Sequence, residues 1–188
     1  MTFKLRRRPQ VDDSFLPADM PARLRQIYAS RGITHVDELN RSAGNLLAPQ
    51  GLKDLPQALA LLTEALQQQQ RIIIVGDFDC DGATSTALMT LALRAMGAQN
   101  VAYLVPNRFE YGYGLSPEIA MLAAQQNAEL LITVDNGISS LAGVETARQQ
   151  GMKVLITDHH LPGTELPQAD AIVNPNQQGC GFGSGNLA

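Results

Sequence analysis

Cysteine is scarce in this sequence. The 188 residues include only Cys80 and Cys180, too few for the disulfide framework of a small secreted domain. Residues 1–10 are basic but lack the apolar segment of a secretory signal. No uninterrupted apolar stretch is long enough to span a bilayer. Together these absences predict a cytoplasmic protein.

The chain also lacks the excess of positive charge that is typical of proteins that bind nucleic acids. Its formal net charge is −4, from 14 basic and 18 acidic residues. Seven of the 14 basic residues nevertheless lie within the first 31, namely Lys4, Arg6, Arg7, Arg8, Arg23, Arg25 and Arg31. This cluster has two interpretations, a patch that contacts phosphates or a solvated terminus, and composition alone favours the second.

Apolar patterning changes near residue 70. Residues 1–70 are predicted to form a basic, helical N-terminal segment, with helices over 21–30 and 55–66 and a capping box from Thr34 to Asp37. From residue 71 to 188, predicted strands alternate with predicted helices. The strands are 72–75, 101–105, 130–134, 153–157 and 171–173, and a helix over 83–96 follows the first of them. This alternation predicts an α/β fold with a mostly parallel sheet flanked by helices.

Acidic clusters follow three of the predicted strands. Asp77-Phe78-Asp79-Cys80-Asp81 follows the first strand, Asp135-Asn136-Gly137 the third and Asp158-His159-His160 the fourth. Ligands of parallel sheets bind at the carboxyl ends of the strands, so these side chains should meet at one edge of the sheet. Crowded carboxylates require a cation between them, and a divalent metal ion is the usual one.

Two other kinds of site contain a similar spacing of aspartates. An EF-hand loop requires glutamate at its twelfth position, where this chain has Leu88, and it follows a helix rather than a strand. An aspartyl-phosphate enzyme uses the first Asp of an Asp-x-Asp-Gly turn as its nucleophile. It also needs a lysine at the same edge of the sheet, whereas Lys153 begins its strand. The EF-hand is therefore rejected, and the aspartyl-phosphate enzyme is kept as a distant alternative.

A two-metal phosphoesterase fits the clusters better. Carboxylates together with imidazole suit Mn²⁺ or Mg²⁺, and a pair of such ions activates water and stabilises both reacting oxygens. Asp135, alone at a central strand end, is the candidate bridging ligand. His159 and His160 are predicted to point in opposite directions, one to the metals and one to the substrate phosphate. The same alternation assigns Cys80 to packing, and His35 is predicted to lie at the surface.

Several motifs resemble the DHH phosphoesterase superfamily, and in particular its single-strand-specific DNA exonucleases. The first three motifs of the superfamily correspond to Val75–Ser85, Val134–Ser139 and Thr157–Gly163. Further matches in the same order are Val105–Glu110, Tyr113–Ser116 and Ile172–Asn176. The likeness covers almost the whole chain, and a series of linked motifs in order is specific.

The resemblance implies a 5′-to-3′ exonuclease that removes nucleotides from single-stranded DNA in recombination and repair, with Mn²⁺ or Mg²⁺ as cofactor. It implies that Asp158 orients its neighbours, that His160 contacts the scissile phosphate, and that Arg108 contacts a DNA phosphate. It assigns the metals to Asp77, Asp79, Asp81, Asp135 and His159. Single-strand-binding protein and repair helicases are the partners that it implies for a full-length enzyme.

One departure from the superfamily is that a fourth acidic motif and later domains have no counterpart here. The glycine-rich residues 179–185 are predicted to be a loop rather than a phosphate site, and the chain is predicted to be a fragment that binds Mn²⁺ weakly and degrades DNA slowly or not at all. Two alternatives stay open. One is a phosphodiesterase for short oligonucleotides or cyclic dinucleotides, and the other is a non-catalytic fragment that binds nucleic acid.

Overall fold

The computed structural model describes residues 9–40 and 42–185, without the side chains of residues 43 and 108. The chain divides into two compact units, Met1–Leu47 and Ala48–Ala188. The predicted basic cluster is only partly covered, since Lys4, Arg6, Arg7 and Arg8 lie outside the described residues. The predicted division into residues 1–70 and 71–188 stays a prediction.

The N-terminal unit contains one α-helix, α1 (Ala22–Ser30), and the short 3-10 helices Val36–Leu39 and Ala43–Asn45 among its described residues. Arg25 holds the segment before α1, because its guanidinium lies 3.3 Å from Asp13 and donates to the carbonyls of Ala18 and Met20. The predicted capping box is displaced by one residue. His35 is the cap, and Glu38 accepts from the backbone N–H of His35.

The second unit alternates strands and helices along the chain. It begins with a 3-10 helix, Pro49–Gly51, and helix α2 (Leu55–Gln67). The elements that follow are β1 (Ile72–Val75), α3 (Cys80–Ala95), β2 (Val101–Leu104), α4 (Arg108–Tyr111), α5 (Pro117–Gln125), β3 (Leu130–Val134), α6 (Leu141–Gln149), β4 (Lys153–Thr157) and β5 (Ala171–Val173). The predicted α/β class is confirmed, and no helix among the described residues has the length and apolar character needed to span a membrane.

The five strands form one parallel sheet in the order β2-β1-β3-β4-β5. Alternate residues of β1 enter different cores, with Ile73 and Val75 on one face and Ile72 and Ile74 on the other. Buried residues of α5 and α6 cover the first face, and those of α2 and α3 cover the second. Both faces of the central strands are therefore buried, which explains their continuous apolar sequences.

The strand order changes direction between β1 and β3. From β1 the chain moves to β2 on one side of the sheet, and the later strands are added on the other side. Such a switch point leaves a crevice at the carboxyl ends of the two central strands, which is the usual ligand site of an open α/β sheet. The first two acidic clusters follow these two strands.

Helix α3 begins earlier than predicted, at Cys80 rather than residue 83. Asp79 caps it, since its Oδ1 accepts a hydrogen bond from Gly82 N at 3.1 Å. Residues 80 and 81 are therefore helical rather than extended. The assignment of Cys80 to packing is wrong, because its side chain is exposed on the first turn.

Candidate metal centre

The structure brings the three acidic clusters together at the carboxyl edge of the sheet. Ligand atoms of Asp77, Asp79 and Asp135 all lie within 4.8 Å of one another. The same limit holds for a second group, which consists of Asp135, His159 and His160. Asp135 belongs to both groups, as expected of a bridging ligand.

Two glycines allow the first cluster to fold tightly against β1. A Cβ atom on Gly82 would lie 2.6 Å from the carbonyl oxygen of Asp77, and one on Gly76 would lie 2.0 Å from the hydroxyl of Thr86. A side chain at Gly82 would push α3 away from the end of the strand, and one at Gly76 would displace the Thr86 side chain. The glycines therefore bring the capping residue Asp79 close to the buried Asp77.

The backbone of Asp135 is strained, and one of its carboxylate oxygens lacks a hydrogen-bond partner among the described residues. Its φ of 61° lies in the left-handed region that residues other than glycine rarely adopt. One carboxylate oxygen, Oδ1, lies 2.9 Å from His159 Nε2. The other, Oδ2, is buried and has no hydrogen-bond partner in the described part of the chain. An oxygen removed from water without a partner is costly, so a cation at this point would compensate it.

Electrostatics at Asp135 support the same conclusion. Burial, followed by the negative charges of Asp81 and Asp79, raises the pKa of the Asp135 carboxyl, and His159 opposes the shift only in part. Asp81 lies in the first turn of α3, with its Oδ2 3.8 Å from His159 Nε2. A divalent cation would relieve this repulsion, because it would turn unfavourable neighbours into shared ligands.

The donor set fits Mn²⁺ or Mg²⁺. Carboxylate oxygens with a single imidazole are ligands that Mn²⁺ accepts readily and Mg²⁺ in part. The 2.9 Å between Asp135 Oδ1 and His159 Nε2 also suits two adjacent ligands of one octahedral ion, whose bonds are about 2.1 Å long. A cavity of about 230 Å³ opens beside them, and its lining includes Asp81 and Asp158.

Asp158 accepts hydrogen bonds from three backbone N–H groups. Its side chain is almost completely buried, and Oδ2 accepts from Ile138 N at 2.9 Å. Oδ1 accepts from the backbone N–H groups of His159 and His160, at 2.7 and 3.1 Å, and also lies 2.8 Å from His160 Nδ1. With both oxygens occupied, Asp158 is placed to orient the histidines rather than to hold a metal.

The two histidines lie side by side. Their ring centroids are 4.7 Å apart with the planes inclined at 64°, so the expectation that they point in opposite directions is wrong. The reason is that both backbone N–H groups turn in towards Asp158, which ends the extended conformation after β4. His159 faces Asp135, and His160 faces Asp158.

The environment of His160 favours its charged form. Burial acts to lower the pKa of the imidazole, but the hydrogen bond and the charge of Asp158, together with Asp135 and Asp81, outweigh it and raise the pKa. A half-exposed imidazole that carries an N–H group beside a metal centre can donate a hydrogen bond to a phosphate oxygen.

Two residues of the site were not identified as functional from the sequence. Tyr113 donates from its hydroxyl to the carbonyl of Asp135 at 3.2 Å and lies 3.3 Å from the His160 ring. Burial, followed by the charges of Asp158 and Asp77, raises its pKa, so the phenol stays protonated and remains a donor. Asn136 is fully buried and donates to the carbonyls of Val75 and Val134. It thereby joins the ends of β1 and β3.

The remaining candidate residues are Arg108, His35 and Lys153. The side chain of Arg108 is outside the described residues, so its predicted contact with DNA stays a prediction. His35 is exposed on the N-terminal unit, as predicted. Lys153 lies at the amino end of β4 and pairs with Glu64 at 2.8 Å, so it cannot serve an aspartyl-phosphate site at the opposite edge.

A family profile and the sequences of known proteins assign this chain to the same family. The profile of the DHH family, N-terminal domain, matches residues 71–187. Single-stranded-DNA-specific exonuclease RecJ of Dickeya dadantii is 56% identical over 185 residues, which are 98% of this chain and 32% of the relative. RecJ of Escherichia coli is 54% identical over 186 residues, or 99% of this chain and 32% of the relative. The chain thus spans about a third of the length of these relatives.

Two solved structures resemble the chain. An exonuclease RecJ bound to manganese is 40% identical with a TM-score of 0.65, over 71% of this chain and 34% of that one. RecJ of Thermus thermophilus in complex with Mn²⁺ is 35% identical with a TM-score of 0.61, over 79% of this chain and 20% of that one. Both similarities support the parallel sheet and its arrangement of helices.

Proposed function

The chain belongs to the DHH family, and from this we propose that it is the N-terminal catalytic part of an exonuclease that hydrolyses phosphodiester bonds of single-stranded DNA. The observation that carries the proposal is that Asp135, whose buried Oδ2 has no hydrogen-bond partner among the described residues, belongs to both groups of potential metal ligands. The names of relatives at 54–56% identity support this substrate.

Five residues would hold two Mn²⁺ or Mg²⁺ ions. Asp79 and Asp135 would bind one ion, with Asp77 in or beside its ligand set. Asp81, Asp135 and His159 would bind the other. Ions bound in this way lower the pKa of a water molecule and neutralise the phosphate oxygens. The titles of two similar solved structures name manganese or Mn²⁺, which supports this choice of cofactor.

The surrounding residues would prepare the site for a phosphate. Asp158 fixes the His160 ring through a 2.8 Å contact with Nδ1, and its hydrogen bond and charge act to raise the pKa of that ring. His160 would then donate a hydrogen bond to an oxygen of the scissile phosphate and stabilise the negative charge that develops there. Tyr113 keeps the Asp135 backbone and the His160 ring in a fixed relation.

The proposal extends to the wider role that the family resemblance implies. The proposed enzyme acts from the 5′ end, in recombination and repair, in the cytoplasm, and alongside single-strand-binding protein and helicases. Arg108 would contact a DNA phosphate. The chain covers 32% of the relatives' length, so we expect residues 1–188 alone to bind Mn²⁺ weakly and to degrade DNA slowly or not at all.

The test compares residues 1–188 with a version extended to the length of the relatives. Each would be assayed with 5′-labelled single-stranded DNA and Mn²⁺, as the natural sequence and as Asp135→Asn. The matched control is Asp170→Asn, since the Asp170 carboxylate accepts a hydrogen bond from the backbone N–H of Val154 at the opposite edge of the sheet. The proposal predicts cleavage by the extended chain, loss with Asp135→Asn and retention with Asp170→Asn.

Two outcomes would contradict the assignment. If neither version cuts DNA but both hydrolyse cyclic dinucleotides or very short oligonucleotides, the protein is a phosphodiesterase for small substrates. If DNA binds without metal and is never cut, the chain is a binding module.

A further inference from the structure

The loop that follows β5 contacts the backbone of both site histidines. The amide nitrogen of Asn174 donates to the carbonyl of His160 at 3.0 Å. The amide nitrogen of Asn176 donates to the carbonyl of His159 at 2.5 Å. Each histidine is therefore held at its backbone N–H by Asp158 and at its carbonyl by an asparagine.

These contacts belong to a connected network of hydrogen bonds. Asn174 is fully buried, and its side-chain oxygen accepts from Asn176 N at 2.7 Å. The amide of Asn176 also donates to the carbonyl of Gly185 at 2.9 Å. The pairing of β4 with β5 continues one residue further, since Asp158 N donates to Val173 O at 3.1 Å. The turn that carries both histidines is thus fastened to β5 as well as to its own strand.

We propose that Asn174 and Asn176 are positioning residues, which hold the His159–His160 turn so that His159 Nε2 faces Asp135 and the His160 ring faces Asp158. The inference rests on the proposed function, because it assigns the two asparagines to the same metal centre. A side chain that donates to a carbonyl fixes the peptide plane, and the peptide plane limits the directions open to the ring. Hydrogen-bonding partners of metal ligands commonly determine affinity in this way.

The alternative is that the asparagines only terminate β5. That role would affect stability but would not affect the histidine rings or the metal selectively. Asn100 offers a matched control, because its amide also donates to a backbone carbonyl, that of Gln69, at 3.1 Å, but at the amino edge of the sheet. Asparagine to aspartate removes the donor and preserves the shape at all three positions.

The experiment measures Mn²⁺ affinity by calorimetry and the ring resonances of the three histidines by NMR in the metal-free protein at a fixed pH. The variants are Asn174→Asp, Asn176→Asp and Asn100→Asp, in residues 1–188. Gly185→Ala adds an independent perturbation, since its Cβ would lie 2.4 Å from the Asn176 side-chain oxygen. The third histidine, His35, whose Nδ1 lies 3.2 Å from Asp37, is the internal reference for the spectra.

We expect Asn174→Asp and Asn176→Asp to raise the dissociation constant for Mn²⁺ by about tenfold or more, although each adds a negative charge near a cation. The rings of His159 and His160 should shift while His35 stays unchanged, and Gly185→Ala should have a weaker effect of the same kind. Asn100→Asp should leave the affinity within about twofold and the site rings unshifted.

Unchanged site rings in Asn174→Asp and Asn176→Asp would overturn the inference, and so would a loss of affinity that Asn100→Asp reproduces. Failure of the proposed function would appear differently. If the natural sequence binds Mn²⁺ but its extended version does not cut DNA, the positioning role is still decided by the affinities. If the natural sequence binds no Mn²⁺, the metal centre fails, and the ring resonances alone decide whether the asparagines orient the histidines.

Discussion

The two edges of the sheet use acidic residues in different ways. At the amino edge, carboxylates accept hydrogen bonds from nearby donors. Asp170 accepts from Val154 N at 2.8 Å and Glu129 accepts from Arg71 N at 2.7 Å, in each case beside the start of a strand. Such carboxylates stabilise the chain where it enters the sheet, and they need no further ligand.

At the carboxyl edge, acidic residues are gathered against one another. Asp135 keeps a buried oxygen without a partner in the described part of the chain, and the neighbouring charges of Asp81 and Asp79 help raise its pKa. An acidic residue at the end of a strand therefore indicates a ligand site when neighbouring carboxylates repel it. The carboxylates at the amino edge are paired with hydrogen-bond donors, whereas those at the carboxyl edge repel one another and would be stabilised by a bound cation.

Replacing Asp135 should give the largest change. Asp135→Asn is expected to weaken Mn²⁺ binding by at least about 100-fold, beyond the 10–100-fold that follows loss of a ligand's hydrogen-bonding partner. Binding to the folded state alone stabilises it, so Mn²⁺ should raise the Tm of the natural sequence but not that of the variant. Calorimetric titration and thermal unfolding measure both effects.

The matched change at the amino edge is Asp170→Asn. It removes the carboxylate that accepts from Val154 N, so it should lower the Tm without altering the affinity for Mn²⁺. Equal losses of Mn²⁺ affinity in Asp135→Asn and Asp170→Asn would show that the metal does not bind selectively at the carboxyl edge.

The close packing of α3 against the residues after β1 can be tested by replacing a glycine there. Gly82→Ala places a Cβ atom 2.6 Å from the carbonyl oxygen of Asp77, and we expect a loss of about 1–3 kcal/mol in the free energy of unfolding. Gly163→Ala is the control, because its Cβ would meet nothing nearer than 3.8 Å. Urea denaturation gives both values, and similar stabilities would show that α3 does not depend on this close approach.

Removing the Tyr113 hydroxyl should give a smaller effect. Tyr113→Phe deletes the donor to Asp135 O and the contact with the His160 ring. A net contribution of about 0.5–1.5 kcal/mol per hydrogen bond corresponds to about a twofold to tenfold loss of Mn²⁺ affinity. Tyr103→Phe, at an exposed position on β2, should leave the affinity unchanged. No difference between these two variants would exclude Tyr113 from the metal centre.

The smallest effect is expected from Glu64→Gln at the amino edge. The hydrogen bond and then the charge of Lys153 lower the pKa of Glu64 below its ordinary value of 4.5. A lowered pKa stabilises the folded state above the ordinary value, and this contribution disappears as the pH falls through the folded pKa. The variant should therefore have a slightly lower Tm at neutral pH, no difference in strong acid, and unchanged Mn²⁺ affinity. A difference in Tm that grows on acidification would contradict this pairing.

Much of the fold was predictable because the strands are buried on both faces. The strand over 130–134 was predicted with its observed bounds, since a continuous apolar stretch ends there at Asp135. The start of α3 was not, because Asp79-Cys80-Asp81 was interpreted as extended, whereas the Asp79 cap begins the helix at Cys80. The order of the strands was not predicted, because it depends on crossovers that leave no local pattern.

The site was predictable only in part, for a related reason. Clusters such as Asp158-His159-His160 are contiguous and follow strands, so the topology alone brings them together. Tyr113 reaches His160 across 47 positions of sequence, and Asn176 reaches His159 across 17. Single polar residues in loops carry no periodicity that would predict such contacts.

We propose that Asp135 is shared by two metal ions at the carboxyl edge of the sheet. The most direct test is an anomalous difference map from crystals of this chain grown with Mn²⁺. We predict two peaks about 3.5–4 Å apart, one beside Asp77, Asp79 and Asp135 and the other beside Asp135 and His159. A map from crystals saturated with Mn²⁺ that has no peak in contact with Asp135 would exclude Asp135 as a metal ligand.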